Sequence, residues 1–278
     1  MGAVENSKFV LNKCIKDISE LPAFTSQNLV TVYEVVRVMD GKVLFLEDHM
    51  ERFFQSFKIL NVASIQNGAQ IRQQLELVVL ANHLATGNVK FMTVMDKESE
   101  RQDFIFQVIP HSYPTEHQYK NGVAVTTLVA SRTNPNAKVQ NDSLRSVTDR
   151  MIREKDVFEI ILINPDGLVT EGSRSNIFMI KEGIVKTPRL GDVLPGVTRK
   201  NVIKACNYLN LSCMEADVTH DELLGMDAVF ITGTSPKVLP VNAVDGHPFD
   251  LNNSCLRVIM KKFDEMIDNY IKSQAILL

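Results

Sequence analysis

Three stretches of the chain carry side chains whose types and spacing could hold a phosphorylated aromatic molecule. Glu171-Gly172-Ser173-Arg174-Ser175-Asn176-Ile177-Phe178 combines an acid, small residues and an amide. Thr187-Pro188 follows, and then Leu194-Pro195-Gly196-Val197-Thr198-Arg199, which reads as a helix entry. At such an entry unpaired N–H groups and the helix dipole favour an anion. The third stretch, Arg132 to Asn141, sets Lys138 between a strand and an amphipathic helix. A lone loop lysine is ordinarily a solvated charge. At a pocket mouth, with its ammonium pKa lowered by desolvation or nearby cations, it can form a Schiff base.

Other chemistries lack support. Gly233-Thr234-Ser235-Pro236-Lys237 lacks the glycine frame and the Lys-Ser/Thr ending of a Walker loop, and neither Gly-x-Gly-x-x-Gly nor Gly-x-Ser-x-Gly occurs. Cys14, Cys206, Cys213 and Cys255 are scattered, and the six histidines show no His-x-x-x-His spacing, so no metal site is expected. The 278 residues carry a net charge of −3, which gives no electrostatic reason to expect nucleic acid or an anionic membrane as partner. Apolar runs such as Leu77 to Ala81 are too short to span a bilayer, and the first residues do not read as a secretory signal. A cytoplasmic protein with reduced thiols is the expectation.

The elements that must position these residues follow from periodicity. Leu29 to Met39, the turn Asp40-Gly41 and Lys42 to Leu46 read as a hairpin. Asp48 and Glu51 resemble a capping box opening a helix to about Leu60, and a second amphipathic helix covers Ala69 to Leu84. Strands follow at Val89–Met95 and Phe104–Ile109. The polar, proline-punctuated segment from His111 to His117 reads as an interdomain linker. Beyond it come strands at Gly122–Ala130, Val157–Ile163, Asn176–Ile180, Ile184–Thr187 and Ala228–Thr232. Helices are expected near Asp142–Glu154, Thr198–Leu209 and Ser254–Ile271. The expected organisation is α+β: an N-terminal domain over 1–112, a linker over 113–121 and a C-terminal domain over 122–278 that contains Lys138.

Glu171-x-Ser173-x-x-Asn176-Ile177-Phe178, then Thr187, then Leu194-x-Gly196-Val197-x-Arg199, resembles the pattern of the class IV aminotransferases. These fold-type IV enzymes include branched-chain and D-amino-acid aminotransferases and aminodeoxychorismate lyases. Tyr33-Glu34-Val35-Val36-Arg37-Val38 with His49-x-x-Arg52 is similar to the family's N-terminal half, so the resemblance covers nearly the whole chain. Gly233-Thr234-Ser235 through Asp245-Gly246 is most similar to the branched-chain group. The resemblance implies pyridoxal 5'-phosphate in a cleft between two domains of a homodimer. It implies that Lys138 binds the cofactor and shuttles a proton, and that Glu171 faces the pyridine nitrogen. It further implies that Arg52, Val197, Thr198, Thr234 and Ser235 surround the phosphate.

Three positions depart from the family. Gln27-Asn28-Leu29-Val30-Thr31 replaces a frequent Gly-Asp-Gly run. Met95-Asp96-Lys97 replaces the arginine that D-amino-acid enzymes use for the substrate carboxylate. Ser143 stands where branched-chain enzymes have a tyrosine. Tyr33, Arg37 and Lys97 are the candidates for holding that carboxylate instead. The activity implied is transfer of an amino group between a branched-chain or other hydrophobic amino acid and a 2-oxo acid. The alternative is a lyase forming 4-aminobenzoate and pyruvate from aminodeoxychorismate.

Overall fold

The computed structural model describes residues 4–5, 7–23, 29–96, 98–99, 101–132, 135–140 and 142–274. The chain forms two compact units. The first comprises residues up to Ser112, Ala137–Gln140 and the chain from Ile267 onward; the second comprises Tyr113–Asn136 and Asn141–Met266.

In the first unit, strands β1 (Lys8–Leu11), β2 (Cys14–Asp17), β3 (Leu29–Met39), β4 (Lys42–Val43), β5 (Gly87–Asp96) and β6 (Gln102–Ile109) form an antiparallel sheet ordered β2-β1-β6-β5-β3-β4. Helices α1 (Leu46–Ile59) and α2 (Gly68–Ala81) lie between β4 and β5 in the chain. The β3–β4 turn is made by Asp40 and Gly41, both at positive φ (51° and 68°), as a tight hairpin requires. Alternation along β3 sorts its side chains. Val32, Val36 and Val38 pack with Phe91 and Met95 of β5, Phe53 and Phe57 of α1, and Ile71, Leu75 and Val78 of α2. Tyr33, Met92, Val94 and Ile105 line the opposite face with Phe9.

Helix α1 starts two residues before the expected capping box. Phe45 occupies the N-cap at φ 52° and no side chain caps it. The Leu46 N–H instead donates to the Tyr270 hydroxyl (3.1 Å), which in turn donates to Glu47 (2.6 Å). A phenol distant in sequence thus satisfies one of the first donors of the helix, two residues before the position where the local pattern put the cap.

The second unit begins with α3 (Glu116–Asn121), β7 (Val123–Val129), α4 (Asp142–Lys155), β8 (Glu159–Ile163), β9 (Val169–Gly172), β10 (Asn176–Lys181) and β11 (Ile184–Thr187). It continues with α5 (Val197–Tyr208), β12 (Cys213–Glu215), α6 (His220–Leu224), β13 (Ala228–Gly233), β14 (Lys237–Val244), β15 (His247–Pro248) and α7 (Ser254–Ser273). The sheet runs β12-β11-β10-β13-β14-β7-β8-β9, with β15 on β14. Most pairs are antiparallel. β7 and β8, joined through α4, are parallel, and so are β11 and β12, joined through α5, so two β-α-β crossovers sit among the hairpins. Strand β14 escaped the sequence reading because Pro240 lies within it. β7 pairs with β14 only from Val241 onward, so Pro240 owes no ladder hydrogen bond on that side.

Two groupings differ from the expected organisation. Residues 113–121, expected as a linker, cluster with the second unit and carry α3, whose N-cap Thr115 forms a capping box with Gln118. Lys138 clusters with the first unit, although it was expected with the later residues. Main-chain pairing is the reason. Tyr33 N donates to Lys138 O (3.1 Å) and Gln140 N to Thr31 O (3.1 Å), so the segment joins the edge of β3.

Candidate active site

The first unit holds Lys138, Arg52, Tyr33 and Arg37. The Lys138 N–H donates to Ser56 Oγ of α1 (3.1 Å), so its backbone is fixed by a strand edge on one side and a helix on the other. Its ammonium lies 4.9 Å from the centroid of the Tyr33 ring. Arg37 is half-buried on the same face of β3 as Tyr33, four residues along. Lys97 lies outside the described residues.

Arg52 sits in a buried cluster. Its Nε donates to Glu34 Oε1 (2.7 Å) and its Nη2 to Glu34 Oε2 (2.6 Å), while His49 Nδ1 is 2.8 Å from Oε2. Glu34 is 0% exposed, His49 3% and Arg52 7%. Burial works to raise the Glu34 pKa, but the Arg52 guanidinium and the His49 hydrogen bond outweigh it and hold the carboxyl at about 2. Burial lowers the His49 pKa against the pull of Glu34. The sequence reading named Arg52 but missed its holder. The signal was present: Glu34 occupies the inward row of β3, between Val32 and Val36, where an acid needs a partner.

The second unit holds Glu171, Val197, Thr198, Thr234 and Ser235. Glu171, at the end of β9 and 2% exposed, accepts from the Leu194 N–H through Oε2 (3.1 Å). Arg132 Nε is 2.9 Å from the other oxygen; this is an ion pair by distance, since that N–H does not line up as a hydrogen bond. Arg132 Nη2 also donates to Ser173 O (2.5 Å), which ties the turn after β9. Two residues past Leu194, α5 opens at Gly196 with no side chain capping it. Gly196 is a steric requirement: a Cβ there would stand 1.9 Å from Asn176 Oδ1, whose amide nitrogen donates to Leu194 O (2.9 Å). Thr234 and Ser235 form the turn between β13 and β14, half-buried. Gly233 just before them passes close to the Arg174 carbonyl. The end of β9 and the starts of β10 and α5 are thereby locked together, with the β13–β14 turn beside them.

Several motif residues prove to build this frame. Glu159 of β8 accepts from Ser173 Oγ (2.6 Å), Ser175 Oγ (2.9 Å) and the Arg174 N–H (3.1 Å), which shapes the turn beside Glu171. Thr187 Oγ1 donates to Ile177 O (3.0 Å). Arg199, 4% exposed, donates to Pro188 O (3.0 Å) and Glu215 (2.8 Å). Asp245 accepts from the Thr126 and Thr127 hydroxyls at 2.5 and 2.6 Å. Glu159, like Glu34, was missed; it lies in an apolar strand far from the motif in sequence.

A family model described as amino-transferase class IV matches residues 31–244. The chain is 32% identical to a D-alanine aminotransferase of Bacillus licheniformis over 227 residues, covering 77% of this chain and 79% of that one. It is 27% identical to a branched-chain-amino-acid aminotransferase of Pseudomonas aeruginosa, covering 77% and 76%. The fold is similar to that of a Thermoproteus uzoniensis branched-chain aminotransferase solved with norvaline (TM-score 0.87, 23% identity, 98% and 99% covered). It is also similar to that of an Escherichia coli branched-chain amino acid aminotransferase (TM-score 0.83, 21% identity, 95% of each chain covered). Likeness at those identities establishes the fold, whereas the family match spans both units and includes Lys138 and Glu171. The chain belongs to the class IV aminotransferases.

Proposed function

We propose that this aminotransferase moves the amino group between a branched-chain or other hydrophobic amino acid and a 2-oxo acid, with pyridoxal 5'-phosphate bound through Lys138. The observation that carries the reading is the Leu194–Thr198 segment. Its first N–H fixes the buried Glu171 carboxylate, and two residues later an uncapped helix begins. That donor set fits a phosphorylated pyridine. The first-turn N–H groups of Val197 and Thr198, with the Thr198, Thr234 and Ser235 hydroxyls, suit the phosphate, and Glu171 suits the ring nitrogen. The bound cofactor supplies an electron sink for the substrate α-carbon.

The chain's own residues do the rest. Lys138 Nζ takes the proton from that carbon and passes it to the cofactor, not back to the same carbon, with its backbone pinned by Ser56 and Tyr33. Arg52, oriented in its bidentate pair with Glu34, adds charge toward the phosphate. Glu171, held by Leu194 and Arg132, keeps the ring nitrogen protonated. The apolar residues Met92, Val94 and Ile105 beside Tyr33 support a hydrophobic substrate side chain. A second reading, a D-amino acid, is favoured by the Bacillus licheniformis relative. Met95 at the end of β5, where such enzymes are expected to have an arginine, weighs against it.

Purified protein given pyridoxal phosphate should turn yellow, and Lys138→Ala should not. A panel of L- and D-amino acids should then convert the cofactor to its amine form with release of 2-oxo acid, fastest for L-leucine, L-isoleucine or L-valine. Conversion by D-alanine alone would install the second reading, and a protein that never colours would end both. Release of 4-aminobenzoate from aminodeoxychorismate would instead indicate the lyase. We further propose a homodimer working in the cytoplasm, in keeping with four free cysteines. Among the described residues no helix is long and apolar enough to cross a membrane. Sedimentation equilibrium measures the mass.

A further inference from the structure

The Tyr33 ring carries a second ammonium. Lys90 Nζ lies 5.0 Å from the same centroid that Lys138 Nζ approaches at 4.9 Å. Both nitrogens therefore lie within about 10 Å of each other, roughly one Debye length at 0.1 M salt. Sequence spacing gave no hint of this, since the two lysines are 48 residues apart in the chain.

Lys90 is placed by register. On β5 it is directly opposite Val35 of β3 and Gln107 of β6, while Tyr33 is opposite Met92. Lys90 and Tyr33 are thus diagonal neighbours on one face, the arrangement that lets a long side chain reach a ring. The row around them is apolar: Phe9, Met92, Val94 and Ile105. Within it lie three polar side chains. Lys90 Nζ donates to Gln140 Oε1 (3.1 Å), two residues beyond Lys138. Gln107 is 5% exposed, and its Oε1 has no hydrogen-bond partner among the described residues. A buried amide left so costs stability unless something else engages it. Rotated about its last bond, that amide presents an N–H in place of the oxygen.

We propose that Lys90 binds the α-carboxylate of the amino-acid substrate, with the Gln107 amide as a second donor. The inference rests on the reading of Lys138 as the proton-shuttling lysine. The carbon whose proton Lys138 moves bears the carboxylate as a direct substituent, so a cation sharing the Tyr33 ring with Lys138 is suitably placed for it.

The test uses the cofactor-loaded protein and three unreactive probes, 4-methylvaleric acid, its neutral amide and the dicarboxylic glutaric acid, titrated by calorimetry. Lys90→Met should weaken the acid about ten- to a hundred-fold, the loss of one charge-assisted hydrogen bond. Binding of the amide should be unchanged, and Lys90→Arg should recover most of the acid affinity. Gln107→Leu should weaken the acid by a smaller factor. Equal loss of acid and amide would show a merely structural role and overturn the proposal, as would an unchanged acid affinity. A loss confined to dicarboxylic acids would also overturn it, since Lys90 would then read a distal carboxylate. Should Lys90→Met lose the visible band of bound cofactor, Lys90→Gln carries the same comparison. If the wild-type protein itself shows no such band, it is the Lys138 reading that fails, independently of Lys90.

Discussion

Glu34→Gln is the most demanding test of the buried cluster beneath β3. The substitution keeps the shape of the side chain and removes its charge, taking the Glu34 counter-ion from the buried Arg52 guanidinium. Two routes give the magnitude. A carboxyl whose pKa falls from 4.5 to about 2 on folding contributes on the order of 3 kcal/mol at neutral pH. Breaking a buried ion pair by removing one partner costs about 3–5 kcal/mol. The routes agree, so a loss of about 3 kcal/mol is expected in urea unfolding followed by circular dichroism at pH 7. The pH dependence supplies a second readout. Glu34 binds fewer protons folded than unfolded, so its contribution is complete above pH 4.5 and is lost as pH falls toward 2. His49, with a pKa lowered from 6.5, must charge below that value, so it too destabilises the fold as pH falls. The wild-type protein should therefore weaken continuously from about pH 6.5 downward, and Glu34→Gln should lack the part below 4.5. A loss under about 1 kcal/mol at pH 7 with an unaltered acid limb would refute the reasoning, because Glu34 could not then be holding Arg52.

Gly196→Ala should lower affinity for pyridoxal phosphate at least about ten-fold while sparing pyridoxal, which lacks the phosphate. Gly196 has φ −61°, so the cause would be the 1.9 Å clash with Asn176 and not backbone strain; equal losses for both compounds, read by absorbance titration, would speak against a phosphate at this helix end. Glu159→Ala should cost about 1–3 kcal/mol in thermal or urea unfolding, since two buried hydroxyls and two N–H groups lose their acceptor. Tyr270→Phe should cost about 1 kcal/mol through the unsatisfied Leu46 N–H. Hydrogen exchange should show the loss as faster opening of the first turn of α1, and unchanged exchange there would count against the cap.

Much of the chemistry was legible in the sequence. Lys138, Glu171 and the Leu194–Arg199 helix entry stand at fixed spacings, and the hairpins and amphipathic helices announce themselves by periodicity, because side-chain alternation is a local property of the backbone. Non-local partners were not legible. Nothing in a linear reading ties Glu34 to Arg52, Glu159 to the serines beside Glu171, Tyr270 to the start of α1, or Lys90 to Lys138. Those pairings depend on strand register and on which face a residue occupies, and register is settled only when the sheet forms. The same cause moved Lys138 into the first unit. Its sequence neighbours lead into α4, but its main-chain groups complete the edge of β3. The sequence by itself determined the family and set Lys138, Glu171 and the helix entry at the spacing of that family's pattern. Tertiary structure decided which of the motif residues merely brace the frame and which charged groups share one ring, since both are matters of distance between positions remote along the chain.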